Sequence, residues 1–159
     1  RERLPHAAIG TDVIAGFPGE TGEDHAATLA FIGALSFTYL HVFSYSKRPG
    51  TKAAALSNHV AGAVIKHRSR ELRALSERKS FAFRQSQMGR ELRVLTLHPS
   101  GDGSNKRTPA LSSNFLRIFV DGVFPANRWL DIKLTGCEGA FLTGRVLELD
   151  AEPSSWRLA

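Results

Sequence analysis

The stretch Thr11–Thr21 reads TDVIAGFPGET and sets two carboxylates, Asp12 and Glu20, around Gly16 and Gly19. Glycine lets a backbone approach a ligand closely and adopt dihedrals that a side chain forbids. Ile14 and Phe17 offer apolar surface to a flat ring, and the carboxylates can accept hydrogen bonds from a ligand or brace the loop. The same string also reads as a plain strand-to-helix turn shaped by Pro18. A second string, His41–Thr51 (HVFSYSKRPGT), supplies Tyr45, Ser46 and Arg48. An arginine there can pair with a carboxylate or with a phosphate, and the sequence leaves both open. Pro49-Gly50 reads as a turn, and His41, inside a strand, as a satisfied imidazole. A third group joins Lys106, Arg107, Asn114, Phe115 and Arg117. Rings stack on splayed bases while cations follow phosphates, although strand alternation could instead bury Phe115.

These residues need elements to hold them. Residues 9–16 form a short apolar run ending in glycine, which predicts a buried strand. Thr21 with Asp24 three residues on is an approximate capping box, and Leu29, Ile32 and Leu35 carry the helix to about residue 35. A strand at Tyr39–Tyr45 follows, so strand, helix and strand make a βαβ unit with parallel strands. Ser57 or Asn58 is expected to cap a long helix reaching about Arg84, with Ala61, Val64, Ile65, Leu72 and Leu75 along its apolar stripe. Beyond Gly89, the segments ELRVLTL, NFLRIFV, WLDIKLT and FLTGRVLEL are short and β-rich between Gly/Pro turns, which predicts a small antiparallel barrel. The organisation expected is 1–57, a connecting helix 58–85, a β domain 86–150 and a tail 151–159.

The chain of 159 residues carries a net charge of +6, and all of that excess lies in residues 58–90, where eight basic side chains meet only Glu71 and Glu77. Such a helix is either a solvated face or a surface for a polyanion, Arg70 and Arg73 among its candidates. One cysteine, Cys137, excludes an internal disulfide and a multi-cysteine metal site made by this chain alone. No run approaches the roughly 18 apolar residues of a membrane span, and the opening RERLPHAAIG has no signal-peptide core. A cytoplasmic location is expected, and Arg1 in place of Met suggests a sequence that begins inside a longer protein.

Taken in order, the two strings, the basic helix and the small β domain resemble the methylthiotransferase branch of the radical S-adenosylmethionine (SAM) enzymes. His-Val-Phe ahead of Tyr-Ser, with Arg-Pro-Gly-Thr after it, resembles most the members that act on threonylcarbamoyladenosine in tRNA; sister groups act on isopentenyladenosine or on a ribosomal protein. The resemblance implies that residues 1–57 close a partial (β/α) barrel and that the β domain is an OB-like, RNA-binding TRAM barrel, an α/β plus β fold. It implies SAM at Asp12, Ile14, Gly16, Phe17, Glu20, Tyr45, Ser46 and Arg48, and tRNA at Arg70, Arg73, Lys106, Arg107, Asn114, Phe115 and Arg117. It also implies 4Fe–4S clusters whose cysteines lie outside this sequence, so that the chain by itself is expected to be inactive or a binding module. Two departures stand out: His25 replaces an aromatic core residue, and the loop Pro99–Thr108 lacks the family's acidic, glycine-rich pattern.

Overall fold

A computed structural model describes residues 2–98 and 106–147; the expected tail 151–159 and most of the divergent loop lie outside the described residues. The chain divides into two compact units between Phe83 and Arg84.

In the first unit, β1 (Gly10–Ala15) leads through α1 (Gly22–Ala34) to β2 (Tyr39–Ser44). The two strands pair in parallel from Gly10 opposite Tyr39 to Ala15 opposite Ser44, as the βαβ pattern predicts. Thr21 caps α1 through the reciprocal bonds of a true capping box: its hydroxyl accepts from the Asp24 amide, and Asp24 Oδ2 accepts from the Thr21 amide at 2.9 Å. Those bonds hold the Asp24 carboxyl below its ordinary value of 3.8. Because the shift is downward, the cap contributes stability above that pH and loses it as acid protonates the carboxylate.

A four-residue helix, α2 (Lys52–Ala55), follows, capped by the Thr51 hydroxyl. The long helix α3 runs Gly62–Ser86. It begins four residues after Asn58 and five after Ser57, the two expected caps, because Asn58 takes a left-handed φ of 61° and gives its carbonyl to the Gly19 amide at 2.9 Å. Leu72 and Leu75 of α3 pack with Ala15, Ile32 and Leu40 into one apolar cluster that covers one face of the β1–β2 pair. The buried stripe of α3 also takes in Arg68 and Ser69, whereas Val64, expected inside, is exposed.

The second unit is a closed barrel of β3 (Glu91–Thr96), β4 (Arg107–Ser112), β5 (Arg117–Asp121), β6 (Trp129–Glu138) and β7 (Phe141–Val146) in the order β3-β4-β5-β7-β6. Val94, Ile118, Val120, Ile132, Leu134 and Leu142 fill its interior at 2% exposure or less, so the barrel holds a packed core. Two expectations are corrected. The barrel is not wholly antiparallel, since β5 and β7 run parallel where it closes. And β4 occupies part of what reads as turn: its inward residues are Thr108, Ala110 and Ser112, too small and polar to show an apolar alternation. Among the described residues, no helix is long and apolar enough to cross a membrane.

Candidate functional site

The first candidate site lies at the carboxyl ends of β1 and β2, where parallel α/β units bind their ligands. Here the two strings meet. The Tyr45 amide donates to the Ala15 carbonyl at 2.8 Å, and the Tyr45 ring meets Phe17 edge-on with centroids 5.6 Å apart. On its other side Tyr45 stacks on His59 at 6.1 Å, and its hydroxyl is buried without a hydrogen-bond partner among the described residues.

Parallel register puts Asp12, Ile14, His41 and Phe43 on the sheet face opposite the apolar cluster, which no helix covers among the described residues, and Ile14 and Phe43 are about half exposed. Asp12, Ile14 and Phe17 are thus available to a ligand at this edge. Ser46 and Arg48 are exposed on the loop after β2. The Arg48 carbonyl accepts from the Thr51 hydroxyl at 2.8 Å, so Arg48–Thr51 is the turn that starts α2.

Two residues of this group have structural duties that the sequence concealed. Gly16 has φ +80°, and a Cβ there would lie 2.3 Å from Ile65 Cγ1, so its missing side chain makes way for α3. Glu20 turns inward: it accepts from the Gly16 amide, and Arg68 Nη1 reaches its Oε2 at 3.1 Å and its backbone carbonyl at 3.0 Å. Of the alternatives open to Glu20, bracing the loop is the one observed. His25, also buried, binds Glu71 Oε2 at 3.0 Å and lies 3.7 Å from Glu20 Oε1, an electrostatic distance too long for a hydrogen bond. Glu71 also takes His67 at 3.4 Å. The loop is therefore tied to α3 by a chain of polar contacts, buried at Glu20, His25 and Arg68 and open to solvent at Glu71 and His67.

The basic character of α3 shrinks accordingly. Arg68 is consumed by Glu20, and Lys79 donates to the carbonyls of Gly33 and Leu35 at 3.0 and 2.8 Å, capping α1 with its charge. Burial lowers the Lys79 pKa. Arg70 and Arg73 remain exposed, with Lys66 on the same side of the helix.

In the second unit, the expected basic and aromatic group separates. Lys106 and Arg107 lie at one end of the β4–β5 pair, where Arg107 opposes Asp121; Asn114, Phe115 and Arg117 gather at the other, around the turn between Leu111 and Arg117. Arg107 is bound by Glu138 at 2.9 Å and by Asp121 at 3.3 Å, and the Glu138 bond raises its pKa, so its charge is largely answered within the chain. Asn114 Oδ1 accepts from Ser112 at 2.6 Å. Phe115 has a left-handed φ of 60° and stands 77% exposed, so its ring is on the surface and not in the barrel. A bulky residue held in that conformation costs about 1–2 kcal/mol. Replacing Phe115 with glycine is expected to raise thermal stability and, on the RNA-binding reading, to weaken RNA binding severalfold. Calorimetry beside filter binding checks this opposition.

Missed in the sequence was Trp129, 57% exposed, with the Arg93 guanidinium 5.7 Å from its ring centroid. The signal that could have found it is alternation along β6, which sets Trp129 opposite in phase to the inward Leu130 and Ile132.

No protein-family model matches the chain. Curated relatives do. The tRNA-2-methylthio-N(6)-dimethylallyladenosine synthase of Mycolicibacterium gilvum (strain PYR-GCK) is 40% identical over 163 residues, covering 99% of this chain and 31% of that protein. This chain is homologous to tRNA methylthioadenosine synthases. Synthases of the same name from Arthrobacter sp. (strain FB24) and Thermobifida fusca (strain YX) are 45% and 48% identical over 106 and 101 residues, covering 67% and 64% of this chain and 20% of each relative. The chain thus spans about a fifth to a third of the length of these synthases. Their names carry dimethylallyladenosine, so the threonylcarbamoyladenosine type expected from the second string is not the one they support. Of the residues behind that expectation, His41 lies in β2 and packs edge-on to Tyr39 at 5.1 Å, and the backbone of Arg48–Thr51 makes a turn.

Proposed function

We propose that this chain is part of a radical SAM methylthiotransferase acting on tRNA, and that its nucleoside is the N6-dimethylallyl adenosine of its relatives' names. The observation that carries the reading is the contact of Phe17 with Tyr45 at the carboxyl ends of two parallel strands, in a chain homologous to those synthases. In this reading residues 1–57 complete a (β/α) barrel and the second unit is a TRAM barrel.

The residues fit one wall of a SAM pocket. Ile14 and Phe17 present apolar surface to the adenine, and Asp12 can accept from the ribose or amino group on the same uncovered face. The exposed Arg48 side chain can meet the SAM carboxylate or an RNA phosphate. Glu20 serves at one remove, holding the loop through Gly16 and Arg68. SAM, when bound, supplies the radical that activates an unreactive adenine carbon. An iron–sulfur cluster has no ligand set here: Cys137 stands in the barrel unit, and no three candidate ligands come together among the described residues.

Arg70 and Arg73 on α3 are the surface proposed for tRNA phosphates. The chain is expected to bind an unmodified tRNA transcript with affinity that falls as salt rises. Arg70→Glu with Arg73→Glu should weaken binding at least tenfold and reduce the log–log salt slope by about 1–2, since each lost phosphate contact removes close to one released counterion. Unchanged affinity and slope would remove α3 from the interface.

A further inference from the structure

We propose that the outer face of β6, β3, β4 and β5 is a track for a short single-stranded stretch of RNA, with Trp129 a second stacking platform besides Phe115. This rests on the RNA-binding reading above and gives it a place on the barrel.

Inward positions of these strands are filled by Val94, Ala110, Ser112, Ile118 and Leu130, so the residues between them face out. The register aligns four of those outward positions across the sheet: Trp129 opposite Leu95, Leu95 opposite Leu111, and Leu111 opposite Arg117. With strands about 4.8 Å apart, this row extends for about 14 Å. Bases stacked at about 3.4 Å give room for about four nucleotides, the lower end of the site sizes of such barrels.

The row has a distinctive chemistry. Its middle, Leu95 and Leu111, is apolar and half-buried, and a large ring stands free near either end: Trp129 at 57% and Phe115 at 77% exposure, the latter in the turn leading to Arg117. A cation stands near each end of the row. Arg93 lies over Trp129 with its guanidinium carbon 5.7 Å from the ring centroid, and Arg117 follows Phe115 by two residues. Asp131, the register partner of Arg93, is the carboxylate at that end. Rings with an open face accept any base, and cations at their sides accept the phosphates between. An acidic protein surface could cover the same apolar row, but two exposed rings with a cation near each end of a row about 14 Å long match stacked bases with phosphates between them. The cations of the opposite end of the β4–β5 pair contribute less, because Arg107 is already held by two carboxylates.

The chain has two tryptophans, Trp129 and Trp156, so Trp156→Phe leaves Trp129 as the sole indole emitter. This variant of the full chain is titrated with octauridine and, separately, with a tRNA transcript. The track predicts saturable quenching of Trp129 by octauridine, affinity kept within twofold by Trp129→Phe, and affinity lowered about tenfold by Trp129→Ala. Binding of both RNAs with Trp129 emission unchanged and Trp129→Ala at native affinity would overturn the track, leaving the tRNA reading on Arg70 and Arg73; a row that contacts protein gives this result. Failure of the native chain to bind either RNA would overturn both.

Discussion

Replacing Arg68 with methionine is expected to destabilise the first unit by about 3–5 kcal/mol, the cost of stranding a buried charge. Arg68 and Glu20 have side chains only 10% and 13% exposed, and the guanidinium is held at both the Glu20 carboxylate and its carbonyl. Methionine fills most of the volume, so the loss is chiefly electrostatic. The carboxylate would be left with the Gly16 amide and a distant His25. A second change, Glu20→Gln, removes the stranded charge and keeps an oxygen for the Gly16 amide; Arg68→Met with Glu20→Gln should regain more than half of the loss. Amide exchange at Gly16 and Tyr45 reports this in the unit concerned, without requiring the whole chain to unfold in one step. A loss below about 1 kcal/mol, or no recovery in the double variant, would show that the pair does not hold the loop.

The second large effect is expected at Gly16. An alanine Cβ there meets Ile65 Cγ1 at 2.3 Å, Cδ1 at 2.9 Å and Cβ at 3.1 Å, and the backbone φ is +80°. Overpacking of about 1–3 kcal/mol adds to a left-handed backbone cost of about 1–2 kcal/mol, so Gly16→Ala should cost roughly 2–5 kcal/mol. Gly19 is the internal control: its φ is +88°, but nothing lies within 4 Å of the Cβ position, so Gly19→Ala should show the backbone cost alone. Combining Gly16→Ala with Ile65→Ala clears the two nearest atoms, and a double-mutant cycle should return a favourable coupling of about 1 kcal/mol or more. Equal losses at the two glycines would mean that α3 does not press on the loop.

These two residues also show what the sequence could and could not reveal. The βαβ unit was legible because its signals are local: an apolar run ending in glycine, a capping box at Thr21 and Asp24, and a helical stripe through Ile32. Arg68 was hidden because a cation among seven others in residues 58–90 reads as surface. Only the fold brings it under Glu20, 48 residues away. Gly16 was read as making way for a ligand, and the sequence cannot tell a ligand from a neighbouring helix. In the barrel, β3 and β5–β7 announced themselves through Val, Ile, Leu and Phe, whereas β4 did not, since it packs Thr108, Ala110 and Ser112 inward. The parallel β5–β7 pairing is a long-range closure with no local signature. Phe115 could be read as core or as stacking surface, and its left-handed turn places it outside.

The central claim is that two loops at adjoining strand ends form a working wall of the methylthiotransferase site. It is tested most directly by exchanging this chain for the segment it matches in the Mycolicibacterium gilvum synthase and quantifying modified nucleosides in tRNA by mass spectrometry. The account predicts that the chimera makes 2-methylthio-N6-dimethylallyladenosine, and that Phe17→Ala with Tyr45→Ala in the chimera lowers the yield at least tenfold. A folded chimera that still binds tRNA but leaves dimethylallyladenosine without its methylthio group would contradict it.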